Sequence, residues 1–140
     1  MQPMLKKLYQ ILILPYTLLL LYFMFVGFGR TPYDYNIVRL TPLVSTLEFV
    51  QKSVLWQNVA VNIFGNIIMF IPFGFLGWCY PKYQNLRILS LDFIVAITIV
   101  ESMQYFTRLG VFDIDDILLN TFGVLLGYWI YKTKIDFSTS

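Results

Sequence analysis

The chain reads as an all-α polytopic membrane protein, with four transmembrane helices and an outer interfacial helix in its first loop. Three observations lead there. Of its 140 residues, 58% are hydrophobic and only 13% charged, about half the charged share of an ordinary soluble domain. The mean hydropathy is +0.68. The apolar residues gather in four stretches, 8–28, 58–80, 86–106 and 114–131, each near the ~20 residues that cross the hydrocarbon of a bilayer. What remains is divided among two ends and three connections, so residues 1–140 are expected to form one transmembrane domain.

The first stretch follows Lys6 and Lys7 and contains no charge. It is longer than the 7–15 apolar residues, roughly, of a secretory signal and reads as a retained helix, with Pro15 tolerated inside it. The connection 29–57 is too long to be structureless. Ser45 and Glu48 stand at capping-box spacing, and Leu43, Leu47, Val50 and Val54 then share one helical face ending near Trp56. An amphipathic helix lying on the outer leaflet, anchored by that tryptophan, is the expectation. In the second stretch Pro72 cannot donate to the carbonyl of Ile68, and Gly74 and Gly77 follow it, so this helix should bend or hinge there. The fourth begins with acids and carries Gly123 and Gly127, a small-xxx-small spacing that lets a neighbouring helix approach closely. Four crossings put both ends on one side. Lys6, Lys7, Lys82, Arg87, Lys132 and Lys134 on that side outnumber Arg30, Arg39, Lys52 and Arg108 on the other, which predicts cytoplasmic termini in a plasma membrane.

A net charge of +2, with its cations scattered, excludes a nucleic-acid footprint. There is no histidine, and Cys79 is the single cysteine. That removes an intrachain disulfide, a zinc site and a Ser-His-Asp mechanism. Carboxylates, amides, hydroxyls, lysine and arginine are left to carry any chemistry.

Those groups are spaced at the helical period. Asn58, Asn62 and Asn66 recur every four residues in the second stretch. Glu101, Gln104 and Arg108 follow at i, i+3 and i+7 in the third. Counted as one helix, Asp113, Asp116, Asn120, Gly123 and Gly127 make a seam on the fourth, with Asp115 on the opposite face. Alternating direction brings the three polar faces to the same outer half of the membrane. Asn62, Asn66, Glu101 and Gln104 should therefore meet Arg108, Asp113, Asp116 and Asn120 as one binding cluster. Glu101, Asp113 and Asp116 against Arg108 leave a formal surplus of two negative charges, which points to a protonated carboxyl, a bound cation or water, or access to solvent. Oxygen ligands of this kind suit magnesium or calcium. Glu101 with Asp113 or Asp116 could instead act as a general acid and base pair. No activated nucleophile accompanies them, since Ser102 and Thr107 lack a nearby histidine or lysine.

The segment Asn66-Ile-Ile-Met-Phe70-Ile-Pro72-Phe-Gly74 resembles the N-x-x-x-F-x-P-x-G signature of VanZ-like membrane proteins. Glu101-Ser-Met-Gln104, continuing through Arg108, Asp113, Asp116, Asn120, Gly123 and Gly127, is similar to that family's second signature. In the first loop Arg39-Leu-Thr41-Pro42-Leu43 keeps only the outline of the family's Asn-Leu-Ile-Pro-Phe-like segment. The resemblance implies a bacterial plasma-membrane protein of the kind named for resistance to teicoplanin, a lipid-bearing glycopeptide. It implies no established reaction; no cofactor is expected beyond a divalent cation that the acids could hold. The expected partners are membrane lipids, with a lipid-linked cell-wall precursor or a lipophilic glycopeptide as candidate ligands and a homo-oligomer as a possible assembly. Two functions follow: a non-catalytic component that alters glycopeptide sensitivity through an outward-facing polar pocket, or a small intramembrane enzyme that modifies a lipid headgroup or envelope glycan.

Overall fold

A computed structural model describes residues 2–52 and 56–135. Helix α1 (Gln2–Phe25) begins six residues before the expected stretch and ends three before its close, passing into a 3-10 turn at Gly27–Gly29. Pro15 lies inside it. The first loop holds a two-residue strand, β1 (Val38–Arg39), and helix α2 (Val44–Lys52). A helix therefore forms where amphipathic spacing placed one, and Lys52 and Glu48 pair across one of its turns at 3.1 Å. The capping role expected of the Ser45 side chain, and Val54, fall outside what is described.

The second apolar stretch is a broken helix. Helix α3 (Trp56–Phe70) gives way to a 3-10 segment, Ile71–Phe75, and then to the short α4 (Leu76–Cys79). Pro72 has no N–H to continue the ladder, and the 3-10 turn leaves carbonyls without helical donors. Two tyrosines of α1 supply them: Tyr16 Oη donates to the carbonyl of Met69 at 2.6 Å and Tyr9 Oη to that of Pro72 at 2.9 Å. Helix α5 (Leu86–Thr107) starts on Asn85, whose side chain accepts from the N–H groups of Arg87 and Ile88. Strand β2 (Phe112–Asp113) leads into α6 (Ile114–Ile135).

Helix α6 is the centre of the packing. A Cβ on Gly123 would stand 2.1 Å from the carbonyl oxygen of Ile67, and one on Gly127 2.0 Å from that of Ile71. From the other side, a Cβ on Gly74 would meet the backbone of Val124, Gly127 and Tyr128 at 2.3 to 2.4 Å. The backbones of α6 and the broken helix touch directly, which only glycine permits. Leu20, Phe70, Leu89, Ile97, Ile117 and Val124 fill the interior around this contact.

The outward faces are apolar. Leu91, Val95, Ile99 and Met103 are each at least half exposed along one side of α5, as are Val61, Phe64 and Ile68 on α3 and Leu118, Phe122 and Trp129 on α6. Two segments, Pro3–Phe25 and Ala60–Cys79, are long and apolar enough to cross a membrane.

Candidate functional site

The start of α3, the end of α5 and the start of α6 come together at one end of the bundle, and the first loop closes over them. Strands β1 and β2 pair in parallel, with Val38 opposite Phe112 and Arg39 opposite Asp113. The loop also caps the α5–α6 connection. Arg108 adopts the left-handed conformation (φ 59°) and its carbonyl accepts from the Tyr33 N–H at 2.9 Å. Asn36 Nδ2 donates to the Tyr105 carbonyl, and Arg30 Nη1 donates to that of Leu109 at 3.0 Å.

Beneath this lid lies a polar chamber of about 230 Å³. Helix α3 contributes Asn62 and Asn66; Asn66 Nδ2 donates to Asp116 Oδ1 at 2.9 Å and to Asn62 Oδ1 at 3.4 Å. The Asn58 side chain lies outside the described residues. From α5 come Glu101 and Gln104, both buried, with Gln104 Nε2 donating to the Met24 carbonyl of α1 at 2.9 Å. Asp113 caps the first turn of α6, accepting from the Asp115 N–H at 2.9 Å, while its own N–H donates to Glu101 Oε2 at 3.4 Å. Asn120, also on α6, is 1% exposed, and its Oδ1 has no hydrogen-bond partner among the described residues.

Seven of the eight residues assigned to the cluster line this chamber; Arg108 does not. The left-handed turn at the end of α5 carries its side chain away, where Nη1 donates to the carbonyl of Asp34 at 3.3 Å. The expected counter-ion role is thereby corrected. Arg39 holds it instead, with Nη1 3.6 Å from Asp113 Oδ2, and Arg30 lines the chamber beside it. Helical spacing could not find Arg39, which lies in the loop 74 residues before Asp113. The surplus negative charge computed for the helices was the available signal for a missing cation.

The placement of Asp115 on an opposite face is corrected as well. It is 3% exposed and lines the chamber, where Oδ1 accepts from the Leu43 N–H at 2.7 Å. Asp113 is extended and the helix starts at Ile114, so Asp115 still stands one ~100° step from Asp116; it joins the chamber because the first loop folds over that side of α6. Leu43 takes a positive φ of 66° to make this contact, a conformation costing a non-glycine residue on the order of 1 kcal/mol. The carboxyl groups have distinct hydrogen-bond partners, and among the described residues no three acidic side chains converge as a metal site.

Helices that pack backbone to backbone on glycines, around an acid-rich chamber covered by a loop, make this a helical-bundle protein. Residues 13–135 match the VanZ/LLP1 family, and the chain belongs to that family. It is similar to Protein VanZ of Enterococcus faecium, with 31% identity over 107 residues that cover 71% of this chain and 55% of that protein. The chain thus spans about half the length of that relative. No solved structure matches it.

Proposed function

We propose that this is a multi-pass protein of the bacterial plasma membrane that lowers sensitivity to lipid-bearing glycopeptides such as teicoplanin, without catalysis, through a polar chamber opening at the outer leaflet. The gathering of Asn62, Asn66, Glu101, Gln104, Asp113, Asp116 and Asn120 into one chamber of a VanZ/LLP1 chain carries this reading. Four crossings are formed by α1, the broken helix from α3 to α4, α5 and α6. Their apolar exposed faces favour lipid as the surroundings. So does the behaviour of their hydroxyls: Thr17, Thr98, Ser102, Thr107 and Thr121 each donate to the carbonyl four residues back, as expected where water is lacking. Helix α2 lies along the outer surface, and both termini are cytoplasmic.

Expression in a susceptible Gram-positive host is expected to raise tolerance to teicoplanin more than to vancomycin, because a membrane-level effect acts most on a drug that is itself membrane-anchored. Asp116→Asn should abolish the gain at unchanged protein level, whereas Glu48→Gln, on the exposed face of α2, should spare it. Equal protection against both drugs would favour an enzyme that alters their shared target. Full tolerance in Asp116→Asn would reduce the chamber to a structural clamp.

A further inference from the structure

The chamber carries more carboxyl groups than cations among its described residues. Glu101, Asp113, Asp115 and Asp116 face Arg30 and Arg39, four carboxyl groups against two guanidinium groups. Glu101, 2% exposed, accepts from the Asp113 N–H at a long 3.4 Å. The Oδ1 of Asn120, 1% exposed, is an acceptor with no partner among the described residues. A buried amide oxygen without a partner is rare enough to require an explanation. A hydroxyl would satisfy that oxygen and leave the charge unmatched, and among the described residues no three acids converge. A primary ammonium group meets both demands, with three N–H donors and one positive charge.

A second cavity defines what carries the ammonium. About 200 Å³ of apolar space runs beside α1 and α5, walled by Leu20, Phe73, Phe93 and Ile97, and Met24 lines both this cavity and the polar chamber. Thr17 and Met24 border the apolar part, seven residues apart on α1, so it runs for about 10 Å along the helix. That length suits part of an alkyl chain. At the exposed rim, Arg30 and Arg39 are complementary to a phosphate.

We infer that the two cavities together hold one lipid whose headgroup ends in a primary ammonium, with that group among Glu101, Asp116 and Asn120, its phosphate by Arg30 and Arg39, and an acyl chain past Met24. The inference rests on the membrane-embedded chamber proposed above and names its ligand.

The test uses the full chain in vesicles of phosphatidylcholine doped in turn with equal mole fractions of phosphatidylethanolamine, its N-methyl and N,N-dimethyl forms, and phosphatidylglycerol, with retained lipid read by native mass spectrometry. Phosphatidylethanolamine should be retained about tenfold over phosphatidylcholine, the scale of a charge-assisted hydrogen bond. Each added methyl group should reduce retention, and phosphatidylglycerol should not be enriched. Glu101→Gln and Asn120→Leu should erase the preference while Glu48→Gln keeps it. Because the methylated series is read on the unaltered protein, it stands even where a variant fails to fold. Equal retention of phosphatidylethanolamine and phosphatidylcholine overturns the inference, as does a preference that survives both chamber substitutions. Soluble phosphoethanolamine displacing the lipid at equal concentration would overturn the acyl-chain half. Drug tolerance without lipid preference would sink this inference alone, and lipid preference without tolerance would sink only the proposed resistance role.

Discussion

Arg39 and Arg108 carry the same charge and do different work. Asp113 is 6% exposed, and its side chain joins the loop to α6 through Arg39 on one oxygen and the Asp115 N–H on the other. Removing Arg39 leaves a buried carboxylate without its counter-ion, a change that is strongly destabilising when the pair is fully buried. Because the Arg39 side chain is 53% exposed, a smaller loss of about 1–2 kcal/mol is expected here. Arg108 is valued for its backbone. Arg39→Ala should lower the thermal midpoint of the detergent-purified protein, whereas Arg108→Gly, which suits the left-handed C-cap, should leave it unchanged or raised. An Arg108→Gly protein less stable than Arg39→Ala would return the counter-ion role to Arg108.

The helix elements depend on glycine in a way that spacing alone cannot rank. Gly65, Gly74, Gly123 and Gly127 all lie in helical segments, yet a Cβ on Gly65 meets nothing within 4 Å while the others strike backbone atoms at 2.0 to 2.4 Å. Backbone cannot rotate aside as a side chain can, so α6 would have to separate from the broken helix. Gly74→Ala and Gly127→Ala should each cost about 1–3 kcal/mol or more, from overpacking. Gly65→Ala should gain up to about 1 kcal/mol from helix propensity. Thermal unfolding of the three proteins side by side checks the order. A Gly127→Ala protein as stable as Gly65→Ala would mean that the close α6 contact is not a determinant of the fold.

For the whole molecule, the four proposed crossings set which ends share a compartment. Thr31 in the first loop and Lys82 between α4 and α5 are both exposed, and they lie on opposite sides of the proposed membrane. In a Cys79→Ser background, Thr31→Cys should be labelled in intact cells by an impermeant thiol reagent and Lys82→Cys only after lysis. Labelling of the second alone would invert the topology and place the chamber at the inner leaflet.

Composition and period by themselves determined the apolar helices, the break at Pro72, the small-residue seam at Gly123 and Gly127, and the three polar helix faces. Each is a local property: hydrocarbon demands a run of apolar residues, and a helix repeats its faces every 3.6 residues. Only the tertiary structure decided that Arg39 serves as counter-ion, that Asp115 belongs to the chamber, and that Tyr9 and Tyr16 satisfy the carbonyls freed at the break. These depend on two-residue strands, a left-handed cap and hydroxyls meeting carbonyls more than 50 residues away. None has a period to read, because the loop gains its shape from what it covers. Once β1 pairs with β2, the irregular first part of the loop supplies Arg30 and Arg39 to the chamber.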